Sequence, residues 1–130
     1  MKALFVILFS ITALLANYIA PMDISGSKYI DSEQAYELYK KEVKFLDVRP
    51  ARFLSQGKIK NAIHLYVGDF TKDNLQKIAK QNEEVVIYCN GRGCSLTPEA
   101  ITKAINYGYK KIYYYRDGFP AWQFFKLPIE

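Results

Sequence analysis

The stretch that decides the fold is Glu84-Val85-Val86-Ile87-Tyr88-Cys89-Asn90-Gly91-Arg92-Gly93-Cys94-Ser95. Its first five residues form a short apolar run that is typical of a buried parallel strand. Thr97 is predicted to cap a following helix, Pro98 suits the first helical position, and Glu99 favours the positive end of the helix dipole. The pattern therefore places Cys89 at the carboxyl end of a strand and before a helix, where open α/β sheets bind their ligands.

The loop that follows this strand has a composition that suits a reactive cysteine. Gly91 and Gly93 permit backbone conformations that turn several N–H groups inward, and Arg92 adds a permanent positive charge. Inward N–H groups, a helix N-terminus and a guanidinium stabilise a thiolate and lower the pKa of a cysteine below its usual value of about 8.5. Two interpretations remain open from this pattern alone: Cys89 is a nucleophile near neutral pH, or it is a buried cysteine that ends a core strand.

The rest of the chain alternates short apolar runs with helical patterns. Predicted strands lie at residues 28–30, 43–48, 62–66, 84–88 and 111–115. Predicted helices lie at residues 31–41, 50–56, 73–79, 97–107 and 120–126. Gln34, three residues after Asp31, predicts a capping box at the start of the first helix. Asp73 or Asn74 is the predicted cap of the third helix, Gly108 is predicted to end the fourth, and Trp122 of the last is predicted to pack in the core. The alternation predicts an α/β domain, with a parallel sheet of about five strands and helices on both faces.

Three polar residues near the second and third predicted strands need an interpretation. Asp47 and Arg49 end the second strand, and we predict an ion pair that fixes the junction between strand and loop. His64 is the only histidine. A Cys–His pair would be an alternative nucleophile–base arrangement, but His64 follows an apolar run and is interpreted as a structural or surface residue.

Three stretches, in this order along the chain, resemble motifs of the rhodanese-like sulfurtransferases, specifically the small single-domain members with a signal peptide. The first is Phe45-Leu46-Asp47-Val48-Arg49-Pro50, followed by Phe53 and by Gly57-Lys58-Ile59-Lys60-Asn61-Ala62-Ile63-His64. The second is the Cys89 loop, and the third is Tyr115-Arg116-Asp117-Gly118-Phe119-Pro120-Ala121-Trp122, with Leu127-Pro128 after it. The resemblance covers about residues 28–130 and implies a rhodanese-like fold.

The chain departs from the motifs of this family at several positions. Lys58 and Lys60 stand where the family often has His and Pro, and Asn61 stands where it often has Gly. Asp117 replaces the first glycine of the closing pair, and Cys94 occupies a loop position where many members carry Arg. These departures concern the substrate preference rather than the fold.

The resemblance implies a thiosulfate sulfurtransferase that works through a persulfide on Cys89. The donor would be a small anion such as thiosulfate or a persulfide, and the acceptor would be cyanide or a thiol. The catalytic residue would be Cys89, with Asp47 and Arg49 in support; the substrate and persulfide would be held by Asn90, Gly91, Arg92, Gly93, Cys94 and Ser95. No cofactor and no histidine base are implied, and two cysteines with one histidine do not supply a zinc site.

A second function rests on Cys94, five residues after Cys89. The two cysteines would form a disulfide that blocks or regulates transfer, or Cys94 would attack the Cys89 persulfide and release the sulfur. The alternative is therefore a thiol-redox or sulfur-carrier and binding protein without efficient turnover. The spacing is not the Cys-x-x-Cys of thioredoxin-like proteins. A cysteine phosphatase is disfavoured, because its loop is one residue longer and ends in Arg, whereas the sixth residue here is Ser95. Inactive rhodanese-like domains typically lack the loop cysteine, which disfavours a pure binding module.

The N-terminus predicts an exported protein. Residues 1–16 have a signal-peptide pattern, with Lys2 followed by an apolar region over residues 3–15 that is shorter than the ~20 residues of a transmembrane helix. Cleavage is predicted after Ala16; the alternative is an uncleaved anchor that extends to about residue 20. Residues 17–27 are predicted to be a linker and residues 28–130 the domain, and a bacterial periplasm is the predicted location.

Length and charge limit the partners. The chain has 130 residues, half of them hydrophobic, and a formal net charge of +5, which predicts one domain that favours small anions. The lysines are scattered rather than clustered on one face, which is not typical of nucleic-acid binding. No membrane contact is expected of the mature domain unless the N-terminal segment stays uncleaved.

Overall fold

The sheet has the predicted number and direction of strands. The computed structural model describes residues 18–130, so the predicted signal peptide and most of the alternative anchor lie outside the described residues. Five strands are arranged in the order β1-β5-β4-β2-β3, and every pairing is parallel. They are β1 Ser27–Tyr29, β2 Lys44–Asp47, β3 Ile63–His64, β4 Val85–Tyr88 and β5 Ile112–Tyr115. The predicted α/β fold is confirmed.

Helices cover both faces of the sheet. They are α1 Ser32–Lys40, α2 Lys72–Ile78, α3 Leu96–Asn106 and α4 Gly118–Phe124, with 3₁₀ turns at Ala51–Gln56 and Val67–Asp69. One core joins the sheet to α2 and α3, and the other joins it to α1 and α4. No helix within residues 18–130 is both long enough and apolar enough to cross a membrane.

Strand β4 is the centre of this arrangement, because it contributes to both cores. Val85 and Ile87 pack with α2 and α3, whereas Val86 and Tyr88 pack with α1 and α4. Successive side chains of a strand point to opposite faces of the sheet, so a central strand between two helical layers is apolar at every position. The continuous apolar run before Cys89 therefore identifies the strand that carries the candidate nucleophile.

The structure confirms the predicted start of α1 but not that of α2. Helix α1 begins with the predicted capping box, in which Gln34 N donates to the Asp31 carboxylate at 2.8 Å and Asp31 N donates to the Gln34 side chain at 3.0 Å. The predicted cap of α2 is wrong: the Thr71 hydroxyl accepts from Asn74 N at 3.1 Å, and Asp73 lies in the first turn, where its charge still suits the helix dipole.

The predicted starts of α3 and α4 are also wrong. Helix α3 begins two residues early, with Ser95 as its N-cap, and Thr97 is buried in the first turn. Helix α4 begins at Gly118 rather than at Pro120. Each proline is then the third residue of its helix, where a backbone N–H has no acceptor within the helix, so the ring costs no hydrogen bond.

Two predictions about helix packing and termination are confirmed. Trp122 is fully buried, and its Nε1 donates to the Pro128 carbonyl at 2.7 Å. Gly108 follows the end of α3 with a φ of +93°, the left-handed conformation that favours glycine after a helix.

Candidate active site

Cys89 is the first residue after β4, at the carboxyl edge of the sheet. Cys89 is 2% exposed, and its carbonyl accepts a hydrogen bond of 2.9 Å from Phe119 N. The loop of residues 90–95 then leads directly into α3. This is the strand–loop–helix arrangement that the sequence predicts for a ligand site.

The Cys89 loop packs against the first turn of α4, and two glycines make this approach possible. Gly91 has a φ of +100° and Gly118 a φ of +63°. A Cβ atom on Gly118 would lie 2.4 Å from the Cys89 carbonyl oxygen and 2.8 Å from Gly91 N. The glycine of the closing motif is therefore required by the loop, a contact that the motif pattern did not identify.

The predicted ion pair between Asp47 and Arg49 is present and completely buried. Arg49 donates to the carboxylate through Nε at 3.0 Å and through a terminal nitrogen at 2.7 Å. The same carboxylate accepts from the Arg49 backbone N–H at 3.0 Å and from the Tyr88 hydroxyl at 2.8 Å. Burial, followed by the nearby Asp47 charge, holds the pKa of Tyr88 well above its ordinary value, so the phenol stays a donor to the carboxylate.

Arg49 also connects this pair to the loop. Its guanidinium donates to the Gly57 carbonyl at 2.7 Å and more weakly to the Asn90 side-chain oxygen at 3.4 Å. Its central carbon lies 4.4 Å from the centre of the Phe119 ring, over the ring face. Arg49 thus contacts the strand end, the Cys89 loop and α4 simultaneously, which is a positioning role.

His64 takes part in the same junction rather than in a bond to Cys89. Its Nε2 lies 2.7 Å from the Arg49 carbonyl oxygen, and among residues 18–130 no hydrogen bond joins it to Cys89. This position agrees with the structural interpretation of His64.

Arg92, which is predicted to help hold the substrate, forms an ion pair with Asp117. Its Nε donates to the Asp117 carboxylate at 2.8 Å, and its side chain is 67% exposed. The hydrogen bond to Asp117, together with the charge of that carboxylate, raises the pKa of Arg92 above its ordinary value. Arg92 is also not among the residues that line the cavity at Cys89. The role predicted for Arg92 in holding the substrate therefore stays a prediction, and in the structure its guanidinium is paired with Asp117.

A cavity of about 340 Å³ opens beside Cys89. Its lining consists of residues from the turn after β2 and from the Cys89 loop: Pro50, Arg52, Phe53, Cys89, Asn90, Gly93, Cys94 and Leu96. Arg52 is the cation of this lining, with its guanidinium carbon 4.8 Å from the centre of the Phe53 ring. Sequence reasoning missed Arg52, since it lies in the 3₁₀ turn that follows the Asp47–Arg49 motif and no spacing relates it to Cys89.

The backbone of the loop offers unpaired donors. Among residues 18–130, no hydrogen-bond acceptor is present for the backbone N–H groups of Asn90, Gly91, Arg92 and Gly93. The next amide, of Cys94, donates to the Gly91 carbonyl at 3.0 Å and closes a turn. Unpaired N–H groups in such a loop, followed by the N-terminus of α3, are suited to binding an anion.

The two cysteines of the loop are joined in a disulfide. Cys89 and Cys94 have Cα atoms 6.3 Å apart, and neither cysteine is free. This is the pairing that the second functional hypothesis requires. Ser95, the last residue of the predicted loop set, is exposed and makes no side-chain capping bond.

The segment before β1, predicted to be a linker, contacts the Cys89 loop. Ala20 is buried, and its N–H donates to the Arg92 carbonyl at 2.7 Å. Its carbonyl accepts two bonds from Arg116, at 3.0 and 2.8 Å, and the Tyr114 hydroxyl donates to the Pro21 carbonyl at 2.9 Å. The backbone around Ala20 therefore bridges the loop to the end of β5.

No candidate metal site is found in the described part of the chain. Among residues 18–130, no three His, Cys, Asp or Glu side chains form a group that could hold a metal ion.

Comparison with known proteins identifies relatives of this domain. The family described as the rhodanese-like domain matches residues 31–124. An HTH-type transcriptional regulator of Mycobacterium tuberculosis, Rv0324, is 28% identical over 116 residues, which are 86% of this chain and 50% of that protein. The chain thus spans half the length of this curated relative.

Two solved structures have the same fold. The rhodanese-like domain of the Alr3790 protein from Anabaena is 19% identical, with a TM-score of 0.69, 80% of this chain covered and 79% of that chain. The 30 kDa polysulfide-sulfur transferase homodimer from Wolinella succinogenes is 25% identical, with a TM-score of 0.67, 81% of this chain covered and 79% of that chain.

Proposed function

The chain belongs to the rhodanese-like domain family, and on this premise we propose that it is a sulfurtransferase whose nucleophile is Cys89. The observation that carries the proposal is the position of Cys89, which follows the central strand and opens a loop of unpaired amides before a helix N-terminus. The similarity to a polysulfide-sulfur transferase of known structure supports sulfur transfer as the type of reaction.

Activation of Cys89 would come from the loop and not from a histidine. The amides of residues 90–93 and the positive end of α3 would stabilise a thiolate at Cys89 relative to a thiol. His64 is already bonded to the Arg49 carbonyl. The Cys89 thiolate attacks the outer sulfur of the donor, and the same amides then hold the negative terminal sulfur of the persulfide.

A small anion such as thiosulfate or a persulfide is the donor that we propose. The cavity of about 340 Å³ is at the small end of ligand sites, and Arg52 supplies positive charge within its lining. We therefore assign donor recognition to Arg52 and the loop amides rather than to Arg92, which is paired with Asp117. A thiol or cyanide entering the same cavity is the proposed acceptor.

We also propose that the protein is exported to a bacterial periplasm. This location is supported by Lys2 and the apolar region that follows it. Sequencing of the N-terminus of the mature protein tests the predicted cleavage after Ala16, and a retained Met1 would favour the uncleaved anchor instead.

The sulfurtransferase proposal is tested by turnover of thiosulfate and cyanide with protein whose disulfide has first been reduced. We expect Cys89→Ser to abolish thiocyanate formation, because a serine hydroxyl does not form a persulfide. The unreduced wild type is expected to be inactive until reductant is added, because its nucleophile is in the disulfide. Turnover that persists in Cys89→Ser would sink the assignment.

A further inference from the structure

The disulfide of the Cys89 loop shows that the sulfur of Cys94 can contact the sulfur of Cys89, which the proposed function uses. The Cα atoms of Cys89 and Cys94 are 6.3 Å apart, within the usual range for a disulfide. The hydrogen bond from Cys94 N to the Gly91 carbonyl, at 3.0 Å, closes the turn that brings residue 94 back over residue 89. The folded loop therefore allows the Cys94 sulfur to reach the Cys89 sulfur itself.

We propose that Cys94 is the resolving thiol of a thiosulfate:dithiol reductase cycle, an inference that rests on the proposed persulfide at Cys89. The Cys94 thiolate attacks the inner sulfur of the Cys89 persulfide. The bond between Cys89 and Cys94 forms, the bond to the outer sulfur breaks, and that sulfur leaves as hydrosulfide. The sulfane sulfur gains two electrons and becomes sulfide, and the two cysteine thiols lose them and become the disulfide.

The geometry favours attack on the inner sulfur over transfer of the outer one to Cys94. The disulfide itself defines the reach of Cys94, which is the sulfur of Cys89. Hydrosulfide is also a leaving group of low pKa, and such groups leave faster in thiol–disulfide exchange.

Competition from an outside thiol is disfavoured by burial. Cys89 is 2% exposed, so an external acceptor must enter the cavity beside it, whereas Cys94 already forms part of the cavity wall. A thiol held in the same loop has an effective concentration well above that of a free thiol in solution.

The resulting disulfide has to be reduced before another cycle. The exposure of the two cysteines indicates which of the two sulfurs the reductant attacks. Cys94 is partly exposed, and Cys89 is buried behind it. An external dithiol would attack the Cys94 sulfur and release Cys89 as the thiolate that the loop amides stabilise. The second thiol of the reductant then attacks the mixed disulfide and frees Cys94. The reductant leaves as a cyclic or internal disulfide.

The complete cycle balances. Thiosulfate and one dithiol are consumed, and sulfite, hydrogen sulfide and one disulfide of the reductant are produced. A protein or small molecule with two thiols supplies both electrons in one encounter, so we assign the partner of this reaction to that class.

A single-turnover experiment tests the proposal. Reduced wild-type protein is freed of reductant under anaerobic conditions and mixed with thiosulfate. We expect one equivalent of sulfide per chain, a protein mass lower by two hydrogens, and a rate that does not depend on protein concentration. Cys94→Ser is expected to gain the mass of one sulfur atom and to release sulfide only after a thiol is added. Lys111→Gln, exposed and outside the loop, is the handling control and should behave as the wild type.

The outcomes separate this inference from the proposed function. A wild-type persulfide that is as stable as that of Cys94→Ser, or a disulfide that forms without sulfide, would overturn the resolving role of Cys94. A folded Cys94→Ser protein that gains no sulfur would instead overturn the sulfurtransferase proposal. Cys94→Ala is measured in parallel, so that a folding defect of the serine variant does not decide the result.

Discussion

The charge that faces the cavity beside Cys89 comes from Arg52. Arg92 is closer to Cys89 in the sequence, but its guanidinium is bonded to Asp117 and its side chain is 67% exposed. An exposed ion pair of this kind contributes little to stability, since water screens it. Arg52 lines the cavity and can bind an anionic donor, whereas Arg92 is already paired with Asp117. Substituting each arginine in turn distinguishes their effects on donor binding.

Arg52→Ala is expected to raise the KM for thiosulfate by about tenfold, with a smaller change in kcat, because a charged hydrogen bond to the donor is worth about 1.5–3 kcal/mol. Arg92→Ala, the matched loss of an arginine at the edge of the same loop, should change KM less than about threefold, well short of a full charged bond. Steady-state kinetics of the reduced proteins measure both. A larger effect of Arg92→Ala than of Arg52→Ala would reverse the assignment.

The ion pair between Asp47 and Arg49 was predictable, whereas the direction of Arg92 was not. Two opposite charges at the end of one strand have few other partners once buried, so their sequence positions decide the contact. Arg92 lies in a loop, and its orientation depends on Asp117, 25 residues later and at the start of another element. Contacts between distant elements of this kind have no signature in local sequence.

At the scale of elements, the site depends on how closely the first turn of α4 approaches the Cys89 loop. Gly118 lies against the Cys89 carbonyl, and Phe119 N donates to the same oxygen at 2.9 Å. This contact holds the loop against α4. The backbone N–H of Ala20, in the segment before β1, donates to the Arg92 carbonyl and holds the loop a second time.

Gly118→Ala is expected to lower the free energy of unfolding by about 3 kcal/mol or more, since the new Cβ meets backbone atoms and the residue has a positive φ. Gly93→Ala, in the Cys89 loop that Gly118 contacts, is the matched control, because its Cβ would meet only the Tyr18 carbonyl oxygen at 3.7 Å. Denaturant unfolding of the oxidised proteins measures both. Equal stability of the two variants would show that α4 can move away from the loop without cost.

The elements themselves followed from the sequence more reliably than their ends. The apolar run of β4 and the capping box of α1 are local signals, and both are present as predicted. Helix α3 begins two residues earlier than its proline suggested, because the loop is already helical at Ser95. The predicted linker gave no sign of its contacts, since the hydrogen bonds at Ala20 come from its backbone and are independent of residue type.

At the scale of the whole molecule, the core buries several tyrosine hydroxyl groups on the sheet. Tyr88, Tyr114 and Tyr115 are all fully buried. Each hydroxyl has a partner: Asp47 for Tyr88, the Pro21 carbonyl for Tyr114 and the Ser32 hydroxyl for Tyr115. The stability of the fold is therefore coupled to the ionisation of these phenols.

Burial raises the pKa of Tyr114 and of Tyr115 to about 12, and it raises that of Tyr88 further. In the unfolded chain a tyrosine ionises near pH 10. The unfolded state therefore loses protons first as the pH rises, and the stability that is complete below about pH 10 is lost progressively up to about pH 12.

We expect the free energy of unfolding to fall between about pH 10 and pH 11.5, by up to about 1.4 kcal/mol per pH unit for each buried tyrosine. Urea unfolding of the oxidised protein measures this, because the disulfide keeps both cysteines from titrating. The matched variant is the double substitution Tyr115→Phe with Ser32→Ala, which removes one phenol together with the partner that lies 2.6 Å from it. Its slope should be smaller by about one proton, since one fewer group ionises on unfolding. Identical slopes for the two proteins would contradict a contribution of Tyr115, and a stability that does not change up to pH 11.5 would contradict the coupling altogether.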